Sequence, residues 1–143
     1  MVLKKNSKKV LGRQELVSFP ELEIEDIPAK IDTGAYSTAI HAHKIWTEGT
    51  PPQEVLCFEL LDPKNEFYQK RVVRTINFYR KKVRSSNGKL EERFMIKTKL
   101  IIGNKMRITD LSLTNRGKMK YPVLIGRKVL KKGFLVDVSI SGL

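Results

Sequence analysis

Ala29-Lys30-Ile31-Asp32-Thr33-Gly34-Ala35 is the stretch on which the reading of this chain turns. A short apolar approach ends in a carboxylate, followed by a hydroxyl residue and a glycine. One chemical route to peptide-bond hydrolysis uses two carboxylates a few ångströms apart that share a proton. One acts as base on a water while the other, protonated, polarises the scissile carbonyl. Like charges at that distance cannot both ionise, so the pair titrates as a unit. Each carboxylate needs a tight loop, where a following hydroxyl can bond across the pair and a glycine permits close backbone approach. Asp32, Thr33 and Gly34 supply those parts in that order and are the candidate catalytic residues. Asp and Gly are favoured in ordinary turns too, so the flanks matter. Ile31 precedes the loop, Ala35 follows it, and a strand pattern resumes through Ala39 and Ile40.

Outward from the loop the chain reads as mostly β. Glu21 to Pro28 leads into Ala29-Lys30-Ile31, and Ser37-Thr38-Ala39-Ile40-His41-Ala42-His43 alternates as a half-buried strand does. Gly49-Thr50-Pro51-Pro52 is a break, Val55 to Leu61 a buried-strand candidate, and Asp62-Pro63-Lys64-Asn65 its stop. Arg71 to Val83 is rich in β-branched and aromatic residues, and Arg93 to Leu100 is a second strand run. Asn87-Gly88 between them predicts a hairpin, because both residues tolerate positive φ. Gly103-Asn104 predicts another tight turn, before Lys105-Met106-Arg107-Ile108-Thr109. A short helix is expected over Arg127–Lys132 with Gly133 closing it, then a strand over Phe134–Ile140. With no repeat or linker, residues 1–143 are expected to form one all-β domain.

The chain has 143 residues, enough to bury one core, and no apolar run approaches the roughly 20 residues of a membrane span. The basic start, Met1 to Lys9, lacks an apolar segment behind it, and Cys57 is the only cysteine. Both features predict a reduced, cytoplasmic setting without membrane contact. The net charge is +13, and Lys64 to Arg107 holds fourteen Lys or Arg against Glu66, Glu91 and Glu92. Such a field attracts polyanions, whether nucleic acid, ribosome or acidic polypeptide, or simply solvates one face.

A second segment bears on the Asp32 loop. Tyr121-Pro122-Val123-Leu124-Ile125-Gly126-Arg127 is an apolar run into a glycine and an arginine. Retroviral aspartic proteases and their relatives pair an Asp-Thr-Gly-Ala loop with such a segment, and this chain resembles them in the order of loop, hairpin, apolar-Gly and final strand. More closely, it resembles the RimB-like, RimK-associated bacterial family of retropepsin-like proteins, whose members also carry the label ATP-dependent zinc protease. The resemblance rests on Leu11-Gly12-Arg13-Gln14-Glu15, the Asp32 loop with Ser37, Ala39 and His41-Ala42, Val83 to Gly88, Asn115 to Met119, Tyr121 to Arg127 and Phe134 to Val138. It implies a small closed β-barrel of the acid-protease type and a peptidase that is active as a homodimer, since each chain has one Asp-Thr-Gly. It also implies a flap at Ser85, Ser86, Asn87 and Gly88 that joins Ala35 and Arg127 in holding a polypeptide substrate. A link to glutamate ligases makes an acidic or glutamylated substrate the expected one. Where the retroviral pattern has acidic residues after the loop, Tyr36 and Ser37 stand here. Arg127 would then lack its carboxylate, with Asp137 a candidate replacement.

The zinc and ATP labels find no support in the residues. There is no His-Glu-x-x-His, no cysteine cluster and no phosphate-binding glycine loop. His41 and His43, the only histidines, would share one face of a strand and could bind one metal only with a third ligand from elsewhere; surface or hydrogen-bonding roles near the loop suit them better. No metal and no cofactor is therefore expected, although a metal-dependent peptidase stays open as an alternative. Two other classes also stay open. Phe78-Tyr79 beside Arg80-Lys81-Lys82-Val83-Arg84 suits nucleic acid, and an inactive domain of this fold could serve as a binding module.

Overall fold

The structure is a computed structural model that describes residues 7–84, 87–115 and 120–143. The described residues form eleven strands, one 3-10 turn at Pro20–Leu22 and one short α-helix: β1 (Lys9–Leu11), β2 (Gln14–Phe19), β3 (Ile24–Ile31), β4 (Thr38–Glu48), β5 (Val55–Leu60), β6 (Val72–Thr75), β7 (Tyr79–Arg84), β8 (Leu90–Ile102), β9 (Lys105–Thr114), β10 (Val123–Ile125), α1 (Arg127–Leu130) and β11 (Phe134–Val136). The fold is all-β, as expected. Six strands close a barrel in the order β10-β3-β2-β8-β9-β4, and β10 pairs with β4 to complete the ring.

Closure places each barrel strand between two others and packs its inward side chains into one core. Phe19, Ile27, Ile40, Leu100, Leu111, Val123 and Ile125 are all buried there, and β5 extends the same core with Leu56 and Phe58. The expected alternation of Ser37–His43 is absent for this reason: Thr38, Ala39, Ile40, His41 and Ala42 are all buried. β4 lies between β9 and β10 and continues into β5, so neither of its faces meets water at this end. It also runs five residues past His43, to Glu48.

Pro28 does not end a strand. β3 runs through it, antiparallel to β2, with Leu16 opposite Pro28. The parallel pairing of β3 with β10 begins only at Ala29, so the proline sits where its other edge has no ladder partner. The hairpin at Gly103-Asn104 has both residues at positive φ (57° and 65°) and joins Ile102 directly to Lys105. The hairpin at Asn87-Gly88 is longer, with Arg84 opposite Leu90 and Gly88 at φ 85°.

Two expectations near the end of the chain need correction. The helix stops at Leu130, and a turn through Gly133 (φ 99°) follows it. The strand after it covers only Phe134–Val136, paired in parallel with β1. Asp137 ends it, because its Oδ1 accepts from the Ser139 backbone N–H (2.9 Å) and hydroxyl (2.6 Å), which turns the chain. The segment beyond still tracks β1 and β2 through Asp137 N–H to Leu11 O, Arg13 N–H to Ile140 O and Gln14 N–H to Ser141 O. Gly12 allows this approach, since a Cβ there would lie 2.5 Å from the Ile140 carbonyl oxygen.

Candidate active site

The Asp32 loop is built by β3, β4, β10 and α1 together. β3 delivers Asp32 at its end, alongside β10, where the Asp32 N–H donates to the Ile125 carbonyl (2.9 Å). Within the loop the Gly34 N–H donates to Asp32 Oδ1 (2.9 Å) and the Ala35 N–H to the Asp32 carbonyl (3.2 Å). One carboxylate oxygen is therefore oriented by a backbone donor. Asp32 itself is half-buried, while Thr33 and Gly34 are exposed. The loop therefore opens outward.

The apolar-Gly-Arg segment clamps the loop from behind. Arg127 N–H donates to Ala35 O (2.8 Å), and Lys128 N–H to Tyr36 O (3.0 Å). Gly126 N–H donates to the buried Thr38 hydroxyl (3.2 Å). Only a glycine fits at 126: a Cβ would stand 2.5 Å from both the Tyr36 and Ser37 carbonyl oxygens. Arg127 Nη1 donates to the Thr33 carbonyl (2.9 Å), so the guanidinium braces the loop backbone. Asp137 does not replace the missing carboxylate, being engaged with Ser139.

Asp32, Thr33, Gly34, Ala35 and Arg127 thus meet in one place. Of the expected flap residues, Ser85 and Ser86 lie outside the described residues. Asn87 and Gly88 are exposed, and nothing lies within 4 Å of where a Gly88 Cβ would be. Contact between hairpin and loop comes from the strand: Lys81 of β7 sits over the Tyr36 ring, 5.8 Å from its centroid. Arg127 and Lys131 approach the same ring at 5.8 and 5.6 Å.

Below the loop, Asp110 of β9 joins three elements. Lys128 of α1 and Lys97 of β8 both pair with it, and the Tyr79 hydroxyl of β7 hydrogen-bonds to it. Burial pushes the Asp110 carboxyl up, but the hydrogen bonds from Lys128, Lys97 and Tyr79 outweigh that and hold it below the usual carboxylate range. Thr38 and Asp110 were not singled out from sequence. Thr38 left the faint signal of a hydroxyl opening an apolar strand; Asp110 left none, since its partners are scattered along the chain.

The histidines are hydrogen-bonding groups. His41 Nε2 lies 3.0 Å from Asp62 Oδ2, and His43 Nδ1 lies 2.8 Å from the Leu61 carbonyl. A bulge between Ala42 and Lys44 breaks the regular register of β4 against β5 here. The Lys64 backbone N–H and His41 hold the Asp62 carboxyl low, against the effect of burial. Among the described residues no three His, Cys, Asp or Glu side chains group as metal ligands. The residues present do not fit the zinc of the family label. In the basic run, Arg80 grips Glu54 with two hydrogen bonds (3.0 and 2.6 Å) and stacks on Phe78 and Phe94. Those aromatics are therefore engaged within the protein.

The fold has clear relatives. The chain is 24% identical to a crystal structure of a Legionella pneumophila protein of unknown function, with a TM-score of 0.70 over 93% of this chain and 95% of the other. It is 32% identical over 139 residues to a "Probable alpha-L-glutamate ligase" of Desulfotalea psychrophila, and 33% over 138 residues to one of Shewanella halifaxensis. The matches cover 94% and 95% of this chain, but it spans only 29% and 30% of those relatives' length. Residues 10–142 match the family described as "Retropepsin-like aspartic endopeptidase RimB". The barrel, the Asp32 loop and the glycine clamp behind it are the parts this match encompasses, and the chain belongs to the RimB-like family of retropepsin-like proteins.

Proposed function

We propose that the chain is an aspartic endopeptidase assembled from two copies, each lending one Asp32. The observation that carries this reading is the disposition of Asp32: fixed by backbone bonds to Ile125 and Gly34, with exposed Thr33 and Gly34 beside it. A twofold axis through that face brings a second carboxylate to the first. The two then share a proton; the ionised one takes a proton from water as its oxygen attacks the carbonyl, and the protonated one donates to the carbonyl oxygen. Exposed Val10, Leu135, Val138 and Ile140 around the β1–β11 ribbon supply apolar surface for association. The membrane plays no part in this reading, and no helix is long and apolar enough to cross one. A cytoplasmic setting remains part of the proposal.

The substrate proposed is an acidic polypeptide. The net charge of +13 favours one, and relatives named for glutamate ligation contain this domain as a minor part of a longer chain. The decisive experiment is cleavage of glutamate-rich peptides, followed by mass spectrometry, for the wild type and Asp32→Ala, with mass measured in parallel by sedimentation. Loss of cleavage in the variant, with a dimer in both, is expected. Cleavage that persists in Asp32→Ala sinks the reading, and so does a wild type that cleaves as a monomer.

A further inference from the structure

We propose that Tyr36, Lys81, Arg127 and Lys131 form a carboxylate-binding subsite next to Asp32, which holds a glutamate or aspartate side chain of a bound polypeptide. The inference rests on the peptidase reading for its substrate, but the site can be tested by binding alone.

Three cations from two separate elements converge on one exposed ring. Lys81 comes from β7, Arg127 and Lys131 from α1 and the turn after it, each between 5.6 and 5.8 Å from the Tyr36 centroid. A ring face attracts a cation, but gathering three like charges around one ring is costly without an anion nearby. Among the described residues, Arg127 donates to a carbonyl, and neither Lys81, Lys131 nor Arg127 pairs with a carboxylate. Lys81 also faces Arg93 across the β7–β8 ladder, which adds positive field rather than relieving it.

Several other cations of this basic surface do have carboxylate partners. Arg71 meets Glu23, Arg74 meets Glu48, Arg80 meets Glu54, Arg93 meets Glu91, and Lys97 and Lys128 share Asp110. Lys105 and Arg107 also gather over one ring, that of Phe134, with backbone carbonyls as their partners; the cluster on Tyr36 is the one that stands on the candidate catalytic loop. Tyr36 is four residues past Asp32 in sequence, and its carbonyl is held by Lys128 N–H, so Tyr36 and α1 are fixed relative to the loop that carries the carboxylate. A side-chain carboxylate resting between Lys81 and Lys131 would also tie the flap strand to α1 over the cleft.

The test uses the Asp32→Asn protein, which retains the site without turning over peptide. Fluorescence anisotropy would compare a labelled glutamate-rich octapeptide with its glutamine counterpart, in that protein and with Lys81→Gln and Lys131→Gln added. The glutamate peptide should bind about tenfold more weakly to the double-lysine variant, while the glutamine peptide is unaffected. Lys64→Gln with Lys99→Gln removes the same net charge away from the loop and should change binding less than twofold. The proposal is overturned by equal loss in that control, by no loss in the Lys81/Lys131 variant, or by failure of the glutamate peptide to bind at all. In the otherwise wild-type protein, the Lys81/Lys131 change should raise KM for the glutamate peptide and leave kcat within twofold. Charge-selective binding without any cleavage by wild type would retain the subsite and discard the peptidase.

Discussion

The two ends of β8 are built differently. At Ile102 the strand turns through two residues into β9, and its last residues are flanked by β2 and β9 with Leu100 and Ile102 buried. At Leu90 it leaves the barrel: residues 90–93 pair only with β7, whose six residues are nearly all exposed. One end is a barrel wall, and the other is a two-stranded ribbon of a kind that is marginal alone in water. The strand is thus anchored in the barrel wall at one end and movable, held by β7 alone, at the other. The clamp at Gly126 belongs with the anchored end and the Lys81 contact with the movable one.

The largest effect should come from breaking the anchored end. Gly126→Ala forces a methyl into two backbone carbonyls and should cost about 3 kcal/mol or more in urea unfolding. Peptide cleavage should fall with it, because the loop would move. Thr38→Val, which leaves the Gly126 N–H without its acceptor, should cost about 1–3 kcal/mol in the same measurement. Asp110→Asn should cost about 2 kcal/mol at pH 7. The folded carboxyl of Asp110 is depressed, so its contribution is present above the unfolded value near 4 and fades as pH falls through the folded one. Wild type and Asp110→Asn should therefore converge in stability in acid; a gap that persists undiminished below the folded value would show that packing, not charge, is responsible. At the movable end, Gly88→Ala meets open space but keeps a positive φ, and should cost about 1 kcal/mol or less. Hydrogen exchange should sharpen the contrast: amides of Arg84 and Leu90 should exchange far faster than those of Leu100 and Leu111. Equal protection would erase the distinction.

How far these features could be read from the chain depended on how local they are. The Asp32 loop, both glycine hairpins and the apolar run into Gly126 each carry their signal within a few residues, and all lie where expected. β4 misled because its polar residues, Thr38 and His41, are buried along with the apolar ones, so the alternating sequence does not mark a half-exposed strand. β1 and β2 went unread: β1 is three residues long, and β2 places Leu16 outward and Val17 inward, against a simple pattern. The site divides in the same way. The residues of the loop were visible, whereas Thr38 under Gly126, the Asp110 junction and the cations around Tyr36 arise only when distant segments meet.

The barrel closes through β10, which joins residue 123 to residues 29 and 40 in a single step. Every backbone bond that orients Asp32 from behind waits for that event. Contacts so far apart along a chain form slowly, since loop-closure entropy is lost before they repay it. A ribosome that has delivered the first hundred residues has therefore made the carboxylate but not the seat that holds it. Until the late segment emerges and docks, the Asp32 N–H has no Ile125 carbonyl to meet and the loop has no glycine clamp behind it.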